Sequence, residues 1–137
     1  GNHFVEFGEI TLQEKNVLNL PEGSYLALLS HSGSRGLGAA IAKHYSLLAR
    51  EVCRLPREAQ HFAWLDLNTE EGQEYWMSMN LAGDYARACH ERIHLNLAKA
   101  LGLKPLANVN NHHNFAWKEE ITPGRMAIVH RKGATPA

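Results

Sequence analysis

The sequence YLALLSHSGSRGLG spans residues 25–38 and joins an apolar run to a polar, glycine-rich turn. The apolar run Tyr25–Leu29 predicts a buried strand that leads directly to His31. Beyond the turn, apolar side chains recur at steps of three and four residues from Leu37 to Leu55, and Pro56 follows. This spacing is typical of one helix face, so the segment predicts a strand, a turn and a helix in succession.

A second and longer helix is predicted from about Thr69 to Leu101. Asn68 and Glu71 resemble a capping box at its start, and Gly102 and Pro105 favour its end. At 1.5 Å per residue the helix would be roughly 50 Å long, more than a domain of this size covers, so we expect further protein around it. Its apolar stripe consists of Tyr75, Met79, Ala82, Ala86, Cys89, Ile93, Leu97 and Leu101.

Three further strands are predicted around these helices. β-favouring residues indicate strands at His3–Ile10, Asn108–Trp117 and Met126–Val129, and Thr122-Pro123-Gly124 predicts a turn between the last two. Two long helices among separated strands, without a regular βαβ rhythm, favour an α+β fold in a single domain.

Composition excludes several classes of protein. The 137 residues are 45% hydrophobic and 20% charged, with fourteen basic and fourteen acidic side chains, so any nucleic-acid site must be a local patch. No apolar run reaches membrane-spanning length, and no signal peptide is apparent. Cys53 and Cys89 lie in apolar helical patterns and indicate buried thiols in a reducing compartment, which favours the cytoplasm. The nine histidines are the one unusual count.

The turn His31–Gly38 combines features suited to a metal and a phosphate. Its glycines let the backbone approach an anion, and the start of the helix offers unpaired N–H groups. Arg35, which we expect in the first turn of the helix, could bind phosphate through two hydrogen bonds, and His31 at the strand tip could bind a metal. A tight turn with a helix-capping serine is the alternative, but the combination of histidine, two serines and arginine favours function.

Two other phrases leave their interpretation open. In Asn2–Glu6, strand alternation separates Asn2, Phe4 and Glu6 from His3, so a shared site needs a bulge or twist, and an exposed strand edge explains the phrase equally well. The five polar residues Asn110–Asn114 predict a loop, either on the surface or around a ligand.

The remaining polar phrases carry less information. Val129–Gly133 supplies two cations before a glycine, as a solvated basic turn also would. Although His90 and His94 have the spacing of a helical metal pair, no HExxH pattern accompanies them. We therefore interpret His44, His90 and His94 as helix-surface or packing residues, and His61 lies in a predicted loop without a partner phrase.

Together, these phrases resemble the RtcB family of RNA-splicing ligases. The resemblance spans the whole chain, which corresponds to only a middle portion of a family member. The matching phrases are GNHFxE at 1–6, HSGSRG at 31–36, HN at 113–114 and VHRKGAT at 129–135.

The resemblance implies an RNA ligase that joins 3′-phosphate or 2′,3′-cyclic phosphate ends to 5′-hydroxyl ends. It implies GTP and manganese, with two ions expected, in tRNA splicing and RNA repair. The substrates would be tRNA halves or broken RNA, with no membrane involved. By residue, the resemblance implies metal binding by His3, His31 and His113, guanylate binding by Asn2, Phe4, Glu6 and Asn114, and phosphate or RNA binding by Arg35 and Lys132.

Two phrases of the family have no match in these residues. The resemblance places an Asp-x-Gly-Cys-Gly phrase before Gly1 and the guanylated histidine, in a His-Gly-Ala-Gly-Arg phrase, beyond Ala137. We therefore expect an internal segment, residues 1–137, of one larger catalytic domain, with no catalytic nucleophile of its own. A metal-dependent phosphohydrolase and a non-catalytic RNA-binding segment are the alternatives.

The metal assignment also makes a geometric prediction. The ligating nitrogens of His3, His31 and His113 should lie within roughly 8 Å of one another, the reach of two adjacent metal ions and their ligands. His112 should point away, and four histidines outside the matching phrases should lie outside the cluster: His44, His61, His90 and His94.

Overall fold

The computed structural model of the chain describes residues 3–133. The fold combines helices with antiparallel strands, which confirms the predicted α+β class. The chain forms two compact units, Gly1–Pro105 and Leu106–Ala137. No helix among the described residues is long and apolar enough to cross a membrane.

The first unit opens with a two-stranded antiparallel sheet. Strand β1, Phe4–Leu12, pairs with β2, Gly23–His31. The register runs from Phe4 opposite His31 to Leu12 opposite Gly23. Both strands were predicted, and the pairing extends each beyond its apolar run because a paired neighbour also orders the polar residues at the ends.

Helix α1, Leu37–Cys53, follows the turn after β2. It ends at Arg54, which adopts a left-handed conformation (φ 48°) and donates its backbone N–H to the carbonyl of Arg50. A short 3-10 helix, Arg57–Phe62, then leads toward the second long helix.

Helix α2, Glu70–Ala100, begins one residue later than the predicted capping box implied. The hydroxyl of Thr69 accepts the N–H of Gly72 at 3.2 Å, whereas the amide of Asn68 bonds to the carboxylate of Asp66. The prediction that Asn68 caps this helix is therefore wrong. Asn68 is already used by the preceding turn, and Thr69 satisfies the free amide of the first helical turn.

Most buried side chains of the first unit are alanines, and α2 packs against α1 and β2. Ala82 and Ala86, both in the predicted stripe, are buried, as are Ala49 of α1 and Leu12 of β1. Small residues let the helix backbones approach closely, which holds the strand–turn–helix segment against α2.

The second unit is a hairpin of β3, Asn114–Thr122, and β4, Arg125–Lys132. The predicted strand start at Asn108 is wrong, because residues 108–113 form no regular structure and the ladder begins at the Asn114–Lys132 pair. Arg131 makes two hydrogen bonds to the Glu119 carboxylate, at 2.5 and 2.7 Å, and its guanidinium lies 5.0 Å from the ring centre of Trp117. This ion pair lowers the pKa of Glu119.

Candidate functional site

His3 and His31 lie at the same end of the β1–β2 sheet. His3 immediately precedes β1, and the pairing of Phe4 with His31 closes the ladder there. The His3 Nε2 atom lies 3.9 Å from the position that a Cβ would occupy on Gly33. Because His3 precedes the strand, alternation does not confine it to one face. The structure therefore brings His3 and the turn after His31 together without a bulge between β1 and β2.

Phe4 and Glu6 share the sheet face that carries His31. Phe4 pairs directly with His31 and Glu6 with Leu29, and paired residues of an antiparallel ladder point to the same side. The rings of Phe4 and His31 meet edge to face, with centroids 5.4 Å apart. Two of the four residues assigned to the guanylate thus share a sheet face with a predicted metal ligand, while Asn2 lies outside the described residues.

The turn after His31 is held in an unusual backbone conformation. Arg35 (φ 54°) and Gly36 (φ 98°) both lie in the left-handed region, and α1 begins only at Leu37. Arg35 was expected in the first turn of the helix, and that expectation is wrong. The two left-handed residues delay the helix, so Arg35 is exposed in the turn before it.

Gly36 occupies the N-cap position of α1 and has no capping side chain, and the first turn of the helix is instead capped by Ser34, two residues earlier. Its hydroxyl accepts the backbone N–H of Gly38 at 2.7 Å. The helix-capping serine that the sequence left as an alternative is therefore confirmed. Because this hydrogen bond uses neither the His31 nor the Arg35 side chain, His31 is still available to bind a metal and Arg35 to bind phosphate.

Two histidines of α2 contact the residues on either side of His31. The Nε2 atom of His94 lies 2.8 Å from the hydroxyl oxygen of Ser30, and the Nε2 atom of His90 lies 3.1 Å from the carbonyl oxygen of Ser32. Burial lowers the pKa of His94, and the charge of neighbouring His90 lowers it further. Both residues were predicted as helix-surface or packing residues, and the packing role is confirmed. Their closeness to the His31 phrase was missed.

The predicted site residues of the second unit lie at the open end of the hairpin. They are His113, Asn114 and Lys132. The N–H of Gly133 donates to two acceptors. They are the backbone carbonyl of His113, at 2.6 Å, and the side-chain oxygen of Asn114, at 2.8 Å. Asn114 pairs with exposed Lys132 across the ladder. The neighbouring ring of His112 stacks on Phe115, with centroids 5.0 Å apart.

Neither unit provides a complete metal centre. Within each unit, the described residues contain no group of three or more His, Cys, Asp or Glu side chains placed to hold a metal ion. Next to His31, however, the hydroxyl oxygen of Ser32 is buried and has no hydrogen-bond partner. A buried polar atom without a partner is costly. The imidazoles of His3 and His31 lie at the same end of the sheet as this hydroxyl, and these groups are of the kind that bind a metal ion or a phosphate.

The family model described as tRNA-splicing ligase RtcB matches residues 1–137, the whole chain. The chain belongs to the RtcB family. The resemblance inferred from the four phrases is thereby confirmed.

Curated relatives agree with this assignment. The tRNA-splicing ligase RtcB of Methanococcus maripaludis is 30% identical over 157 residues, covering 100% of this chain and 32% of the relative. The protein of the same name from Methanocaldococcus jannaschii is 32% identical over 158 residues, covering 100% of the chain and 16% of the relative. The chain therefore spans a third or less of the length of these RtcB relatives.

Proposed function

We propose that this chain is part of an RNA ligase of the RtcB type. The ligase joins an RNA 3′-phosphate or 2′,3′-cyclic phosphate end to a 5′-hydroxyl end, using GTP and manganese, in tRNA splicing and RNA repair. The observation that carries the proposal is the meeting of His3 and the His31–Gly36 turn at one end of the sheet. Family membership connects that geometry with ligation.

In this proposal the metal-binding residues are His3, His31 and His113. His3 and His31 supply imidazoles from one sheet end, and His113 supplies a third from the hairpin unit. Two manganese ions would neutralise phosphate charge and lower the pKa of an attacking hydroxyl. The incomplete donor set within each unit fits a centre that draws anionic ligands from residues other than these, since manganese favours oxygen donors beside imidazole.

The guanylate is assigned to the face that carries Phe4 and Glu6. The Phe4 ring is 42% exposed and can pack against a purine, and the Glu6 carboxylate can accept hydrogen bonds from the N–H groups of guanine. Asn2 and Asn114 complete the proposed set. The Asn114 oxygen already accepts the Gly133 N–H, so its amide N–H groups are the atoms we assign to the nucleotide.

Arg35 and Lys132 are assigned to phosphate. Both side chains are exposed, and Arg35 lies in a turn of two left-handed residues directly before α1. Arg131 is committed instead to Glu119 and Trp117, so Lys132 is the cation of that phrase that we assign to RNA. The cytoplasm is the proposed compartment, since Cys53 and Cys89 are free thiols.

The test uses the complete ligase that contains these residues, with RNA halves bearing a 3′-phosphate or cyclic phosphate and a 5′-hydroxyl. We expect joined RNA only with GTP and manganese, and loss of joining in His3→Ala and His31→Ala. His44→Ala, an exposed histidine of α1, is the matched control and should ligate normally. Metal-dependent cleavage of the RNA without joining would replace the proposal with a phosphohydrolase. RNA binding without either reaction would reduce it to a binding segment.

A further inference from the structure

His90 and His94 anchor the two residues that flank His31. The two histidines lie one turn apart on α2, and they contact Ser32 and Ser30 at 3.1 and 2.8 Å. We propose that His90 and His94 are positioning residues, which fix the backbone of His31 so that its imidazole is held ready for a metal ion. This inference rests on the proposed function of His31 and assigns new roles to two residues outside the four phrases.

The need for anchoring follows from where the β-ladder ends. The last pair is Phe4 with His31, so the carbonyl of Ser32 lies beyond the ladder at the start of a glycine-containing turn. His90 supplies a partner to that carbonyl from α2. Without this contact the strand end would be held on one side only, and a metal ligand must keep its geometry within about 0.5 Å.

The two anchors act on His31 through its backbone neighbours. Successive residues of a strand point to opposite faces, so Ser30 faces α2 and the His31 side chain is directed to the other face, with Phe4. An error in the placement of Ser30 or Ser32 would therefore displace the imidazole of His31, although neither anchor is assigned to the metal.

The hydrogen bond of His90 also takes its Nε2 atom out of metal binding. A carbonyl oxygen only accepts, so the Nε2 atom of His90 must carry a proton and donate it to Ser32. A protonated nitrogen has no lone pair for a metal. The i, i+4 spacing of His90 and His94 is thus used to hold two points of one strand end, 58 and 64 residues away in sequence.

The experiment measures manganese affinity of the complete, nucleotide-free ligase by electron paramagnetic resonance of unbound Mn²⁺. Residues that orient metal ligands typically change affinity 10- to 100-fold, so we expect about tenfold weaker binding in His90→Leu and in Ser30→Ala. His90→Gln keeps an N–H donor near the Ser32 carbonyl and should restore affinity to within about threefold. His44→Leu, at an exposed histidine of α1, is the control and should bind as wild type.

A double-mutant cycle tests the second anchor. If His94 acts through Ser30, the double variant Ser30→Ala/His94→Leu should bind manganese no more weakly than either single variant. Circular dichroism of the metal-free proteins checks folding, and if a leucine variant fails to fold, the conservative Ser30→Ala decides. Unchanged affinity in folded Ser30→Ala and His90→Leu, with binding lost in His31→Ala, would overturn the inference. A wild type that binds manganese through His31 without ligating RNA would overturn only the proposed function.

Discussion

The hydroxyl of Ser34 accepts the backbone N–H of Gly38, and a Cβ at Gly38 would stand 2.6 Å from that hydroxyl oxygen. The helix cap and the glycine therefore depend on each other. The glycine leaves room for the cap, and the cap satisfies an amide at the start of α1 directly after the proposed phosphate-binding turn.

This dependence predicts a measurable coupling between the two positions. Gly38→Ala alone should change the free energy of unfolding by less than about 0.5 kcal/mol, because loss of the cap offsets the better helix propensity of alanine. Once Ser34→Ala has removed the cap, adding Gly38→Ala should stabilise the chain by about 1 kcal/mol. Urea unfolding of the four proteins gives the coupling. As a control, the changes in the free energy of unfolding caused by Ala40→Gly, elsewhere in the helix, and by Ser34→Ala should be additive. If the changes caused by Gly38→Ala and Ser34→Ala were also additive, Ser34 and Gly38 would not depend on each other.

Arg35→Ala should impair RNA use far more than folding. Arg35 is exposed in the turn, and a lost hydrogen bond to a charged group costs about 1.5–3 kcal/mol, or roughly 10- to 150-fold in kcat/KM for the RNA 3′-phosphate end. Steady-state ligation by the complete ligase checks the rate, and circular dichroism checks the fold. Lys43→Ala, at an exposed cation within α1, is the matched control. Unchanged ligation kinetics in Arg35→Ala would remove Arg35 from the proposed site.

His94 predicts how the stability of the chain depends on pH. Its pKa in the folded state is lowered, first by burial and then by the charge of His90, so below pH about 6.5 the unfolded chain takes up a proton that the folded chain resists. The stability linked to His94 is therefore present above that pH and lost as the pH falls below it. We expect wild type to lose more stability between pH 7.5 and 5.5 than His94→Gln, measured by urea unfolding.

The control for this pH effect is His44→Gln, whose profile should follow that of wild type. Its side chain is exposed on α1, away from the Ser30 contact. If wild type and His94→Gln lost stability in parallel, the burial of His94 would not be linked to folding and the prediction would be wrong.

Periodic patterns in the sequence predicted the elements of the first unit but not their contacts. The spacing of apolar residues located α1 and α2 within a few residues because a helix face is a local property. The contacts of His90 and His94 join residues 58 and 64 positions apart, and no local pattern encodes which strand end a helix face will meet. The sequence therefore indicated His31 but not the residues that hold it.

In the hairpin, too, the local sequence did not determine where contacts between strands begin. Val109, Phe115 and Trp117 favour a strand, yet β3 begins only at Asn114, where β4 first supplies a partner. Local preference cannot fix where pairing starts. The convergence of His113 with His3 and His31 likewise stays a prediction, which manganese-site anomalous diffraction from the complete ligase would check.

As an isolated 137-residue chain, the protein should neither form a covalent guanylate nor ligate RNA, with or without manganese. The proposed function assigns the guanylated histidine and a metal-bridging cysteine to two phrases that residues 1–137 do not contain. His3 and His31 can bind a divalent ion only weakly, because a metal without its anionic ligands gains less binding energy. Apolar side chains such as Leu26 and Leu81 are 67% and 63% exposed, so we also expect association in solution.

Incubation of the purified chain with labelled GTP and manganese decides this prediction, with the complete ligase as the positive control. The expected result is label on the complete ligase and none on the chain, while sedimentation shows the chain in oligomers that dissociate in mild denaturant. A stable, acid-labile guanylated product on the chain would show that one of its own nine histidines is the nucleophile. In that case His3 and His31, nearest the proposed guanylate face, would have to be reassigned from metal ligand to covalent catalyst and tested one at a time by alanine substitution.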